Sequence, residues 1–308
     1  MQRFIAIRFG QGLIALIAVT IIVFGLSRLT GDPTTTILGL DATAEDYERL
    51  RIRLGLDKPL VVQYGVYIGN VLQGDLGNSI KYPELGAGGA VINRLPNTLK
   101  LAGASLLLAT LIGVPLGVLS SVRRDTPFDS SAKIFALLGQ SVPNFWLGLM
   151  MMWIFAVKLG WLPPAGTGGF KNFIMPTITL GSFQIAAITR LVRSSMLETL
   201  DSEYVKLARI KGVSESKVIW KHCLRNASLT PLTYFGVIAA ITFTGSLTTE
   251  VVFNWPGTGL LAFQAVLSRD FELIQALVLV FSGMFVLSSF VVDVLYAYLD
   301  PRIRYAQG

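Results

Sequence analysis

Hydrophobic residues gather into six runs that contain no Lys, Arg, Asp or Glu, and the charged residues lie between them. The runs are Phe9–Ser27, Leu101–Val122, Ile134–Val157, Asn172–Thr189, Asn226–Thr249 and Leu273–Val292. Each is close to the roughly 20 residues that a helix needs to cross the hydrocarbon core of a bilayer. The pattern therefore predicts an all-α membrane protein with six transmembrane helices.

The long connection between the first two runs carries the start and stop signals of two short helices. Thr43, with Asp46 three residues later, forms a capping box, and Gly55 ends the helix that follows. Pro59 opens a second helix, which Gly74 ends. Taken alone, these residues favour a small helical cap on the ends of the spans over a landing surface for an extracytoplasmic partner.

Residues 202–231, between the fourth and fifth runs, predict a helix, a glycine break and a second helix. Ser202 or its neighbour can cap the first helix, Glu203 lies where the helix dipole favours negative charge, and basic residues crowd the end before Gly212. Ser214 then caps the second helix. This basic elbow either contacts anionic lipid headgroups, which its charge alone favours, or docks onto a cytoplasmic partner.

Composition agrees with a membrane protein, because only 15% of residues are charged whereas soluble domains have about 25%. With the N-terminus inside, four segments are cytoplasmic: 1–8, 123–133, 190–225 and 293–308. They hold 15 of the 26 Lys and Arg residues and 8 of the 19 acids. This asymmetry fits the positive-inside rule. We therefore expect both termini in the cytoplasm, and the excess of +7 needs no nucleic-acid partner.

Polar residues within the third and fifth runs, together with Glu250 directly after the fifth, are candidates for a translocation path. The candidates are Gln140, Ser141, Asn144, Thr242, Thr244, Ser246, Thr249 and Glu250. Pro143, which lies between Ser141 and Asn144 in the sequence, is expected to kink its helix. Small hydroxyl residues also act as packing contacts between membrane helices, which is the reading that the residues alone favour. Glu250 is expected to be solvated at the outer end of its span, with a gate or substrate contact as the alternative.

Catalytic and metal-binding motifs are missing from the sequence. It has neither a G-x-x-x-x-G-K-[ST] phosphate loop nor a G-x-S-x-G nucleophile motif, so it does not predict an enzyme. It has a single His, so it does not predict a zinc site built on two His ligands. Its single cysteine, Cys223, excludes an internal disulfide. We expect no metal or cofactor in this chain. The first run is long and lacks a small-residue cleavage site, so we interpret it as an uncleaved span.

The elbow resembles the cytoplasmic coupling loop of permease subunits in ATP-binding-cassette (ABC) importers, specifically the B-type subunit of the dipeptide, oligopeptide and nickel branch. That branch shows the form Y-V-x-x-A-R-x-K-G followed by H-x-L-R-N-A, which Tyr204–Gly212 and His222–Ala227 match. Further matches span the chain: Gly31-Asp32-Pro33, residues 54–60, Gly74-Asp75-Leu76-Gly77, Trp161-Leu162-Pro163, residues 254–257 and residues 300–305.

The resemblance implies a type I ABC importer permease in the prokaryotic cytoplasmic membrane. It implies a division into residues 1–93, the first span plus a helical extracytoplasmic region, and residues 94–308, a five-helix core with the coupling loop at about 202–222. The coupling loop would comprise Glu203, Tyr204, Lys206, Leu207, Ala208, Arg209, Lys211, Gly212 and Val213.

The implied partners are a second permease, two ATPase subunits that bind ATP and Mg²⁺, and an extracytoplasmic solute-binding protein. Di- and oligopeptides are the implied solutes, and nickel chelates, glutathione or sugars are the alternatives. A self-contained secondary transporter or channel is a further alternative, but the sequence shows neither the intramembrane charges nor the internal repeat that such a protein would carry.

Overall fold

A computed structural model of the chain describes residues 2–29, 34, 38, 42–244 and 246–299, except for the side chains of 2, 4, 229, 243, 244 and 295–299. Every regular element in these ranges is helical. The first elements are α1 (Gln2–Leu29), α2 (Ala44–Arg53), α3 (Leu60–Leu72), α4 (Gly86–Val122), α5 (Pro127–Ser141), α6 (Asn144–Met151), a π-helical segment (Met152–Lys158) and α7 (Phe170–Leu200). They are followed by α8 (Glu203–Ile210), α9 (Glu215–Lys217), a second π-helical segment (Val218–Cys223), α10 (Leu224–Ala227), α11 (Leu229–Thr244), α12 (Leu247–Val252), α13 (Thr258–Leu267) and α14 (Phe271–Leu299).

Three of these helices, α1, α4 and α14, are long and apolar enough to cross a membrane on their own. A fourth span arises if α5, α6 and the first π-helical segment are counted together. The fourth charge-free run lies within the 31-residue helix α7, and the fifth is divided among α10, α11 and α12. All six runs are thus helical, but the third and fifth are interrupted.

The interruption of the third run coincides with Pro143, where the sequence predicts a kink. Val142 leaves the helical region, with φ −81° and ψ 123°, because proline disfavours the α conformation of the residue before it. The two halves of the run meet at 103°. The predicted kink at Pro143 is therefore confirmed, and the third run forms a sharply bent pair of helices.

The centre of the fold is the contact between α4 and α7, where small residues bring the two backbones together. A Cβ atom added at Gly117 would lie 2.7 Å from the carbonyl oxygen of Thr189, and one added at Gly113 would lie 3.0 Å from that of Ile185. Ser105, 0% exposed, donates to the Thr177 carbonyl. Close approach through small residues is the usual packing mode of membrane helices.

The region between α1 and α4 forms the two short helices that the sequence predicts. Thr43 and Asp46 make a complete capping box, and Gly55 ends α2 with a positive φ of 66°. Helix α3 packs on α1 through aromatic rings, since the Phe24 ring lies 5.5 Å from that of Tyr64 and 5.9 Å from that of Tyr67. This region is therefore attached to the first span.

Candidate functional site

The basic elbow forms a short helix closed by a glycine turn. Helix α8 ends at Ile210, and Gly212, directly after the C-cap residue Lys211, adopts φ 76°. The Val213 N–H donates to the Ala208 carbonyl and the Gly212 N–H donates to the Arg209 carbonyl. This pair of bonds is a Schellman motif, which satisfies carbonyl groups at the end of a helix. Ser202 and Ser214 occupy the N-cap positions, although neither hydroxyl makes a capping bond.

The inner side of the elbow is anchored in a buried cluster. Val205, Val218 and Cys223 are each 0% exposed and pack with Val192 and Met196 of α7. Burial also raises the pKa of the Cys223 thiol, which disfavours the reactive thiolate form. The elbow and α7 are therefore held by one shared core.

The outer side of α8 presents an apolar stripe. Tyr204, Leu207 and Ile210 recur every three residues, which places them along adjoining positions of the helix surface, and they are 43%, 51% and 81% exposed. Exposed basic residues flank the stripe at Lys206 and Lys211. The stripe is the strongest candidate for a docking surface at this end of the molecule.

Ion pairs hold the elbow in shape. The Arg209 guanidinium donates two hydrogen bonds to the Glu215 carboxylate at 3.1 and 2.7 Å, which lowers the pKa of Glu215. The Lys206 ammonium donates to Glu203 at 2.8 Å. Since Glu215 belongs to α9, the first of these contacts closes the elbow across the glycine turn.

The candidate path residues fall into two groups. Gln140, Ser141 and Asn144 flank the bend between α5 and α6; Ser141 is exposed and the other two are partly buried. The described candidates of the fifth run point into the protein: Thr242, Ser246 and Thr249 are at most 4% exposed. The side chain of Thr244 lies outside the described residues.

Three hydrogen bonds show what the fifth-run hydroxyl groups do within this chain. Thr242 accepts a hydrogen bond of 2.7 Å from the Gln184 amide of α7 and donates to the Ile238 carbonyl. The Ser246 hydroxyl donates to the Glu250 carboxylate. In the single chain Thr242 thus connects α11 to α7, whereas the Ser246 bond lies at the start of α12. A role of these residues in lining a path stays a prediction.

Glu250 is 0% exposed, so the expectation that outside water solvates it is wrong. Its carboxylate accepts hydrogen bonds from the Thr98 hydroxyl at 2.8 Å and from the backbone N–H groups of Gly259 and Leu260 at 2.7 and 3.0 Å. Those N–H groups belong to the first turn of α13, where a helix favours negative charge. Glu250 therefore caps α13 and ties it to α4.

A second buried carboxylate, Asp129, was not identified from the sequence. It is 0% exposed and accepts two hydrogen bonds from Arg193 of α7 at 2.6 and 2.8 Å, one from Ser120 and one from Lys133. The partners lie on three helices, α4, α5 and α7. Thr126-Pro127 at the start of α5 marks an N-terminus near Asp129, but nothing local points to Arg193.

Comparisons with known proteins agree with this arrangement. Residues 113–305 match the family model described as a binding-protein-dependent transport system inner membrane component, and residues 1–102 match the N-terminal model of such membrane components. The chain belongs to this family. It is a multi-pass membrane permease subunit.

Curated relatives cover the permease almost end to end. It is 39% identical over 314 residues to a putative peptide transport system permease protein of Brucella abortus (strain 2308), covering 99% of this chain and 100% of the relative. It is 41% identical over 290 residues to the glutathione transport system permease protein GsiC of Salmonella choleraesuis (strain SC-B67), covering 94% of both.

Solved structures support the fold of the permease. An amino acid ABC transporter structure aligns with a TM-score of 0.55 at 16% identity, over 68% of this chain and 94% of that chain. An inward-facing MetNI methionine ABC transporter structure aligns with a TM-score of 0.57 at 18% identity, over 68% and 96%. The permease therefore has the type I ABC importer permease fold.

Proposed function

We propose that this permease pairs with a second homologous permease and forms with it the path by which di- and oligopeptides cross the cytoplasmic membrane. Two ATPase subunits would bind ATP and Mg²⁺ on the cytoplasmic side, and an extracytoplasmic solute-binding protein would deliver the solute. The named relatives support peptides as the solute class, and the 41% identity to a glutathione permease makes glutathione, itself a tripeptide, the second candidate.

The exposed apolar stripe of α8 is the observation that carries the ATPase partnership. Leu207 and Ile210 are at least half exposed, although Val205 of the same helix is fully buried in the cluster with α7. A short amphipathic helix with exposed anchors at three-residue spacing suits a groove on a partner protein. The flanking Lys and Arg residues would steer an acidic rim of that groove toward the stripe.

The elbow is built to transmit force, because it is continuous with two helices of the core. Helix α7 ends at Leu200 and α8 begins at Glu203, while Val205 and Val218 anchor both arms of the elbow in one cluster. A displacement of α8 by an ATPase would therefore move α7 and the segment leading to α11. Helices α7 and α11 are joined by the Gln184–Thr242 bond, so the displacement would reach the candidate path.

The orientation in this proposal follows from the charge asymmetry. The elbow and both termini face the cytoplasm, whereas α2 and α3 face the outside. Alternating access would then consist of ATP-driven closure of the two ATPases, relayed by the elbows to the two permeases. Because this chain has no G-x-x-x-x-G-K-[ST] nucleotide loop of its own, the ATPase subunits would supply the energy for transport.

The test is the double substitution Leu207→Ser and Ile210→Ser, which removes the apolar stripe but leaves the buried anchor Val205 intact. The ATPase subunits should no longer co-purify with the permease, and ATP-dependent uptake of a labelled peptide should fall at least tenfold. The matched control, Val61→Ser on α3, also removes an exposed apolar side chain (82% exposed) and should leave both unchanged. Undiminished ATPase recovery in the double variant would overturn the proposal.

Competition by unlabelled glutathione in the same uptake assay decides between peptides and glutathione as the solute.

A further inference from the structure

A cavity of about 440 Å³ lies between the end of α1, the α2–α3 region and the start of α14. The wall from α1 includes Ser27 and Arg28, where the first charge-free run ends, and the wall from α14 includes Phe271 and Glu272, just before the last run begins. Charged residues that directly flank apolar spans lie at the level of the lipid headgroups. Two separate spans thus place this cavity at the membrane–water boundary.

The polar wall of the cavity contains both signs of charge. Arg28, Arg53 and Lys58 contribute cations. The side chains of Arg53 and Lys58 make no ion pair within the described part of the chain. Asp75 and Glu272 contribute carboxylates. Each carboxylate accepts a backbone N–H, from Gly77 and Asn78 respectively, and retains further capacity, because an ionised carboxylate offers about four acceptor positions.

Two buried polar atoms on the same wall have no hydrogen-bond partner among the described residues. These are the Gln63 side-chain oxygen and the Tyr67 hydroxyl. The Gln63 amide nitrogen is engaged with the Leu56 and Lys58 carbonyl groups, which fixes the orientation of the free oxygen. Buried polar atoms are nearly always satisfied, so two unsatisfied atoms on one cavity wall indicate a ligand that supplies both donors and acceptors.

The rim of the cavity is apolar and open. Ile52, Leu54 and Val66 line it and are 57%, 40% and 54% exposed. A soluble peptide would leave these side chains in contact with water, whereas the acyl chains of a lipid would cover them. The combination of a zwitterionic wall and an apolar rim therefore matches an amphiphile.

We infer that this cavity binds the headgroup of a phospholipid that carries a phosphate and a primary ammonium, as in phosphatidylethanolamine. Arg53 and Lys58 hold the phosphate through charge-assisted hydrogen bonds. Glu272 and Asp75 accept from the ammonium, and the Gln63 oxygen and Tyr67 hydroxyl complete the polar contacts. The site is separate from the elbow and from the candidate path. The inference does not depend on which solute the permease carries.

The test uses the purified, delipidated transporter complex and native mass spectrometry of lipid adducts. The probes are short-chain dihexanoyl lipids with ethanolamine, glycerol or choline headgroups, and the dipeptide Ala-Ala. The ethanolamine lipid should bind most tightly, because the glycerol lipid has no ammonium and the trimethylated choline cannot donate a hydrogen bond. Ala-Ala should not compete.

Three variants assign the binding to this cavity. Arg53→Gln with Lys58→Gln should weaken the ethanolamine lipid by about tenfold or more, Glu272→Gln should remove its preference over the glycerol lipid, and Tyr67→Phe should weaken it without altering the charge. Arg49→Gln is the control, because Arg49 is exposed and pairs with Glu45 away from the cavity. Equal lipid affinity in the double variant and the wild type would overturn the inference, and so would Ala-Ala binding that these same variants abolish.

Discussion

At the scale of single residues, Gly212 is where conformation and proposed function meet. Its φ of 76° costs a residue with a side chain about 1–2 kcal/mol, although an added Cβ would meet no atom within 4 Å. Gly212→Val should therefore loosen the turn without a clash, so that ATP hydrolysis persists in proteoliposomes while peptide uptake per ATP falls several-fold. Gly212→Asn is the matched control, since Asn tolerates this region, and should keep the ratio. A normal ratio in the Val variant would show that the turn does not couple the two activities.

Asp129 is the second residue whose substitution has a defined outcome. Replacing it with Asn leaves the Arg193 guanidinium beside a neutral partner in a buried site, and breaking a buried ion pair typically costs about 3–5 kcal/mol. We expect a clear loss of thermal stability, measured as the Tm of the purified permease. Asp125→Asn is the control because the Asp125 side chain is 76% exposed; equal Tm values for the two variants would contradict this account.

The residues show which contacts a sequence can reveal. The capping pair Thr43–Asp46 and the stop at Gly212 follow from rules that span a few positions, and both were predicted. The Asp129–Arg193 pair and the Glu250–Thr98 bond join residues 64 and 152 positions apart. Such contacts depend on how helices pack. The position of Glu250 at the end of its run therefore led to the wrong expectation that water solvates it.

At the scale of elements, charge-free runs locate membrane segments but not helix ends. Helix α4 begins at Gly86, 15 residues before its charge-free run, and continues through Arg94 and Lys100. Charged side chains end a run because they avoid hydrocarbon, yet they are compatible with helix. The sequence predicted a kink at Pro143, whereas its angle of 103° depends on the packing of both halves against the rest of the protein.

The elbow as an element should respond to acid through the Arg209–Glu215 contact. The pKa of Glu215 in the folded protein is lowered from its ordinary value of 4.5 by the Arg209 hydrogen bonds, so the contact contributes its full stabilisation above pH 4.5 and loses it as the pH falls through the lower, folded-state pKa. Hydrogen exchange of residues 203–213 at neutral pH should therefore be faster in Glu215→Gln than in the wild type. Lys217→Gln, in the same helix α9, is the control. Unchanged exchange in Glu215→Gln would show that the ion pair does not hold the elbow.

At the scale of the whole molecule, the fold explains why several helices bury little of their surface. In the most apolar segment of each helix, only 6% of α14 and 17% of α1 is buried, compared with 44% of α4. Lipid and a partner permease are the surfaces that would cover the exposed faces. The six-run pattern predicted the helices that enter the membrane, but a single sequence does not contain the partner that determines how they are covered.

The orientation of the molecule is the last prediction, and it separates the proposed importer from an inverted arrangement. In a Cys223→Ser background, a cysteine placed at Gln73 after α3 should react with a membrane-impermeant maleimide in intact spheroplasts. A cysteine at Lys211 in the elbow should react only after permeabilisation. Both positions are exposed, so a difference in labelling reports the side of the membrane and not burial. Labelling of Lys211→Cys in sealed spheroplasts would place the elbow outside, where no cytoplasmic ATPase could reach the apolar stripe, and the proposed mechanism would fail.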